Sequence, residues 1–229
     1  MIPLKDDNPV DRTPVVTYAL VAMNVAGWIW QLTTGLAVSV QRGGAIPYEL
    51  LGFTDIEFRA VVPPPLTIFT SMFMHGGWLH IASNMLFLWI FGNNVEDALG
   101  RRRFLAFYLA SGVVAALAQA VVQTLTGDVY TPMVGASGAI AGVLAAYLVL
   151  FPHARVVTLL IIVFIPIRTV LPAFILIGWW IATQVFSLVF GSAQSGVAFM
   201  AHVGGFVAGF LLVRWMGRRP EWRARRVAW

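Results

Sequence analysis

The sequence predicts an all-α membrane protein, a bundle of six transmembrane helices, and three observations predict it. Only 11% of the 229 residues are charged, against about 25% in soluble domains. Long stretches carry no charge at all: 15–32, 104–127 and 169–213. The last has 45 residues, enough for two crossings at roughly 20 residues each. The basic residues, finally, are distributed as a topology signal: 13 of the 15 Lys and Arg fall on one side of a six-span arrangement, which makes that side, and both termini, cytoplasmic.

Taken in order, residues 1–14 read as a cytoplasmic tail. Asp6, Asp7 and Asp11, and the long span that follows, argue against a cleaved signal peptide. The first span covers about 15–32. An external loop, 33–77, carries Pro63-Pro64-Pro65 and short structure of its own. Spans two and three are about 78–95 and 104–125. The fourth is short, about 135–151. Residues 156–167, bounded by Arg155 and Arg168 and interrupted by Pro166, are too few to cross. They are expected at the interface or packed on the bundle; a crossing there would put His202 on the opposite face from Ser137. Spans five and six, about 171–190 and 197–216, flank a loop of loop-forming composition at 191–196. The six-span membrane domain thus runs 15–216, and 217–229 is a basic cytoplasmic tail. Its Arg218, Arg219, Arg223, Arg225 and Arg226 suit anionic lipid beside a span rather than nucleic acid. The expected location is a bacterial cytoplasmic membrane. Cysteine is absent, which excludes disulfides and thiolate chemistry.

Span parity has a consequence for chemistry. Spans two, four and six all enter from the outer side. His80 and Asn84 lie in the first turns of span two, Ser137 opens span four, and His202 lies about five residues into span six, ~8 Å deep. Polar groups in a bilayer are costly and face partners or water, so four of them at one depth imply a shared site. Ser137 is the candidate nucleophile, and a serine hydroxyl needs a base to react; His202 can be that base. Gly138 and Gly142, like Gly205 and Gly209, form small-xxx-small faces that let backbones approach. That approach would bring Ser137 and His202 within ~2.6–3.2 Å. His80 and Asn84, four apart on one helix face, and the Ser137 backbone N–H are candidate oxyanion donors. Glu96 lies ~18 Å beyond Asn84 along a helix, so no acid reaches His202 and the pair reads as a dyad rather than a triad. His75 is expected before the helix, as a capping or loop-packing residue. A three-histidine zinc site from His75, His80 and His202 fits less well, because a five-residue spacing suits one helix face poorly. His153 is given no chemistry.

At these residues the chain resembles the rhomboid family of intramembrane serine proteases. The matching pieces are His75-Gly76-Gly77-Trp78-Leu79-His80-Ile81-Ala82-Ser83-Asn84, Gly135-Ala136-Ser137-Gly138 and Ala201-His202-Val203-Gly204-Gly205. The run from Phe91 to Gly100 also looks like the family's second-span ending, and the resemblance extends over about 71–209. It implies a Ser137 nucleophile and a His202 base, oxyanion support from His80 and Asn84, and supporting positions at His75, Gly135 and Gly138. It implies substrates that are transmembrane proteins, cut near the outer face with water entering from that side, and no cofactor or metal. Two departures stand out. Leu66 and Thr67 occupy places where many members have Trp-Arg. Ala141 stands where some members stack a tyrosine on the base, so His202 must be held by other packing. The competing expectations are a catalytically inactive rhomboid-like protein that binds or escorts membrane clients and, last, a small transporter, for which the spans lack paired charges.

Overall fold

The computed structural model describes residues 1–53, 62–191 and 197–217. Arg59, most of the loop expected at 191–196 and the basic tail from Arg218 onward lie outside the described residues. Helices dominate. The long ones are α1 (Val15–Thr34), α5 (Trp78–Leu99), α6 (Arg101–Thr126), α7 (Ser137–Leu150), α8 (Ala173–Phe190) and α9 (Phe199–Met216). They coincide in order and position with the six expected spans. Among the described residues, α1, α6, α8 and α9 are long and apolar enough to cross a membrane, and the chain is an integral membrane protein. Helix α5 has the length but carries His80, Asn84, Glu96 and Asp97, and α7 has only 14 residues.

Between α1 and α5 the loop builds three short helices: α2 (Leu36–Gly43), α3 (Pro47–Leu50) and α4 (Pro64–Ser71). Pro64 and Pro65 sit in the first turn of α4, where a missing N–H costs nothing. Ala45 and Met133 exchange two backbone hydrogen bonds of 3.0 and 2.8 Å, and the Gly135 N–H donates to Ser71 O at 2.9 Å. The segment that leads into Ser137 is thereby pinned to this loop.

The centre of the bundle is α7. Every residue from Gly138 to Tyr147 is buried, against Phe91, Phe104, Phe107 and Tyr108 of the neighbouring helices. Its contact with α9 is backbone to backbone. A Cβ on Gly205 would land on the Gly138 carbonyl, and one on Gly209 on the Gly142 backbone. The two small-residue faces expected from the sequence therefore meet each other.

Residues 156–167, expected to be too few to cross, form most of an antiparallel hairpin, β2 (Arg155–Ile162) and β3 (Ile165–Pro172). Residues 1–14 likewise hold more than a tail: β1 (Ile2–Asp6) pairs with β2, completing a three-stranded sheet in the order β1-β2-β3. The physical reason is composition: Val156, Val157, Thr158, Ile161 and Ile162 are β-branched residues that suit a pleated ladder. Polar side chains of the first segment fasten it down. Tyr147 of α7 donates to Asp6 Oδ2 at 2.5 Å, the Arg155 N–H donates to Asp7 Oδ1 at 2.8 Å, and Asn94 Nδ2 donates to Asn8 O at 2.9 Å. Burial pushes the Asp6 carboxyl up from 3.8 to about 6, with the Tyr147 hydrogen bond opposing and nearby Asp7 adding to the rise.

Glu96 and Asp97, at the far end of α5, have a structural role. Pro14 precedes α1 and offers its first turn no side-chain cap. Glu96 supplies one from a distance: Oε1 accepts the Val16 N–H at 3.0 Å, and Oε2 accepts the Thr17 N–H at 2.7 Å and the Thr17 hydroxyl at 2.8 Å. A carboxylate at a helix N-terminus satisfies orphan donors and complements the helix dipole.

Candidate active site

Ser137 is the first residue of α7, and His202 lies in the first turn of α9. The close α7–α9 seam brings them together: His202 Nε2 lies 2.8 Å from Ser137 Oγ. The other imidazole nitrogen, Nδ1, lies 2.7 Å from Gln184 Oε1 on α8. Each ring nitrogen of His202 thus has a hydrogen-bond partner. The start of α9 is held separately, by Gln119 of α6, whose Oε1 accepts the Ala201 N–H at 3.2 Å.

Gly135 makes room for the third element. Its φ is +126°, a region open in practice only to glycine. The point where a Cβ would sit is 2.8 Å from His80 Nε2 and 3.5 Å from Ser137 Oγ. Absence of a side chain there leaves His80 and Ser137 bordering one small space. His80 Nδ1 accepts the Gly76 N–H at 3.3 Å, so Nε2 carries the proton and points toward that space as a donor. Asn84, one turn further along α5, is buried, and its Nδ2 has no partner among the described residues. A cavity of about 30 Å³ adjoins the serine, lined by Ser71, Met133, Gly135, Ser137, Gly138 and Ala201 among others; a volume of that order admits a water molecule.

His75 is fully buried before α5. Its backbone is clamped by Gln31 of α1, which accepts the His75 N–H at 2.8 Å and donates to its carbonyl at 3.0 Å. Burial, reinforced by electrostatic repulsion from the neighbouring His80, pushes its imidazole down to about 3 and keeps it neutral; the two rings pack edge-on with centroids 5.2 Å apart. Its place is that of a packing residue supporting His80. Gly138 faces Ala115, where a Cβ would come within 2.5 Å of the alanine methyl. The structure thus gathers Ser137, His202, His80 and Gly135 around one point, with Asn84 a turn away and His75 behind. Sequence reasoning missed Gln31, Gln119 and Gln184. The signal was available, since an amide in an apolar span is costly without a partner, but nothing in the pattern says what partner it meets.

Comparison with known proteins bears on the family. A family model described as Rhomboid domain matches residues 65–219. Presenilin-associated rhomboid-like protein, mitochondrial, from Homo sapiens is 38% identical over 117 residues, 51% of this chain and 29% of that protein. Rhomboid protein 1, mitochondrial, from Saccharomyces cerevisiae is 30% identical over 213 residues, 92% of this chain and 56% of that protein. Rhomboid protease GluP from Bacillus subtilis is 33% identical over 205 residues, 89% of this chain and 35% of that protein. The matched stretch spans less than two thirds of each of these relatives. Mitochondrial names recur among them, so the expectation of a bacterial cytoplasmic membrane gains no support; what holds is the integral membrane assignment. A serine and a histidine hydrogen-bonded across a glycine seam, in a bundle matched over most of its length by the Rhomboid domain, place this chain in the rhomboid family, which includes serine proteases.

Proposed function

We propose that this protein is an intramembrane serine endopeptidase that cleaves transmembrane-helix substrates near the outer membrane face. The observation that carries the reading is the 2.8 Å approach of Ser137 Oγ to His202 Nε2. In the proposed reaction Ser137 Oγ attacks the scissile carbonyl carbon while its proton passes to His202 Nε2. The carbonyl oxygen, now anionic, is met by the Ser137 backbone N–H and by donors from His80 and Asn84. His202 returns the proton to the leaving amine, the C–N bond breaks, and an acyl-enzyme remains. A water, activated by His202 in turn, hydrolyses it and frees Ser137. The charge distribution supports the orientation: α5 and α7 are counted as crossings with the four long apolar helices, both ends of 15–216 face the cytoplasm, and the site lies toward the opposite side.

The test is labelling by a fluorophosphonate together with cleavage of a single-span substrate in liposomes. Ser137→Ala is expected to abolish both and His202→Ala to reduce both by at least about 10³-fold. Labelling that persists in Ser137→Ala, or cleavage untouched by His202→Ala, refutes the protease reading. Client binding that survives both substitutions with no cleavage in the wild type would instead favour an inactive escort.

A further inference from the structure

We propose that Gln184 is the positioning residue of this site: it sets the tautomer and the aim of His202, and so completes a Ser137–His202–Gln184 array in which an amide stands where triads place an acid. The inference rests on the protease reading of Ser137 and His202 and deepens it. The starting point is the geometry around an imidazole whose side-chain partners among the described residues are a hydroxyl and an amide. Gln184 Oε1 lies 2.7 Å from His202 Nδ1. Its amide has a fixed orientation. Nε2 points back along α8, 3.2 Å from Thr183 Oγ1 and 3.4 Å from the Trp180 carbonyl oxygen. The Thr183 hydroxyl itself donates to that carbonyl at 2.6 Å, so its oxygen faces Gln184 as an acceptor. A carbonyl oxygen and a committed hydroxyl oxygen both demand a donor, which only the amide NH₂ supplies. Oε1 is therefore the end that faces His202, and it can only accept. Nδ1 must carry the proton, Nε2 is left with its lone pair, and that lone pair is the one 2.8 Å from Ser137 Oγ. The Trp180 ring, its centroid 5.6 Å from that of His202, closes the same side.

This answers the question raised by Ala141, a position that offers His202 no aromatic ring. The hold on the base comes from α8 instead. During attack the serine proton moves to Nε2 while the Nδ1 proton stays in place. The hydrogen bond to Gln184 then spans an imidazolium and an amide oxygen, and charge-assisted hydrogen bonds are the stronger kind. The stabilisation grows toward the transition state, so its loss should appear in kcat rather than in KM.

Gln184→Met keeps length and volume but removes the acceptor; Gln184→Glu keeps an acceptor. Both, with wild type, are reconstituted as the full chain and assayed for kcat and KM on a single-span substrate and for fluorophosphonate labelling. The ring nitrogens of His202 are read in parallel by ¹⁵N NMR in micelles, assigned by their loss in His202→Ala. Gln184→Met is expected to lower kcat about 10- to 100-fold with KM nearly unchanged, and to move the ring from the Nδ1–H form toward the Nε2–H form. Gln184→Glu is expected to recover most of that loss. A Gln184→Met enzyme with wild-type kcat and tautomer overturns the proposal, as does equal impairment of the two variants, which would make side-chain volume the cause. Absence of labelling in wild type would sink the protease reading, whereas the tautomer comparison still decides whether Gln184 orients His202.

Discussion

Replacing Gly205 by alanine would test whether the α7–α9 seam is what places the base on the nucleophile. The Gly205 Cα faces the backbone of Gly138, the residue after Ser137, and an added Cβ would fall far inside 3.0 Å of the Gly138 carbonyl oxygen. Neither atom belongs to a flexible side chain, so no rotamer change relieves the overlap. Ordinary contact requires the helices to part by roughly 1 Å. His202 lies one turn before Gly205 on α9, so the same displacement stretches its 2.8 Å approach to Ser137 out of hydrogen-bond range. Overpacking of this kind costs about 1–3 kcal/mol of stability, and misplacement of a reacting group by about 1 Å costs on the order of 10²-fold in rate. Gly205→Ala should therefore label with fluorophosphonate roughly 100-fold more slowly than wild type while still folding, as judged by thermal unfolding in detergent. Gly178→Ala on α8, where a Cβ meets nothing within 4 Å, is the control and should be neutral or slightly stabilising. Wild-type labelling by Gly205→Ala would show that the seam is not what sets the distance, and the reasoning would fall.

Two further outcomes follow from the packing. Glu96→Ala removes three hydrogen bonds from the first turn of α1 and leaves buried donors behind; it should cost roughly 2–4 kcal/mol, read as a lowered unfolding midpoint, with unchanged stability as the contrary result. Asp6 prefers its protonated form in the folded chain, with its carboxyl raised from 3.8 to about 6, so its contribution to holding β1 is complete below about pH 3.8 and is lost as pH rises through about 6. Hydrogen-exchange protection of the β1–β2 amides should accordingly fall between about pH 4 and about pH 6 in wild type, level off above that, and stay level throughout in Asp6→Asn; equal pH dependence in both would exclude Asp6 as the cause.

The spans were legible because apolar stretches and flanking Arg residues are one-dimensional signals that survive without knowledge of packing. The meeting of Ser137 and His202 was legible for a related reason: span parity fixes depth, and glycine spacing marks the faces that can touch. The hairpin was not legible, because its turn breaks the usual chemistry. Val163 and Phe164 both have positive φ, 47° and 69°, where a two-residue turn normally shows Asn or Gly. Glu96 is legible in the sequence only as an acid too far from His202, and its role as a cap is not, since its partners Val16 and Thr17 lie some 80 residues earlier. Gln184 was passed over because a lone amide in a span does not reveal which neighbour it meets, and its partner is 18 residues away.

The sheet that ties β1 to the hairpin also orders events in time. Ile2 pairs with Leu159, so the strand leaves the ribosome well before its partner exists. At about 5–20 residues per second the wait is on the order of 8–30 s, during which α1, α5, α6 and α7 are made. Throughout that interval β1 presents unpaired backbone. Closure of the strand onto β2 is then a late step, a clasp fastened after the central helix is already in place. An early segment that waits so long for its own chain is also the one most open to an outside strand in the meantime.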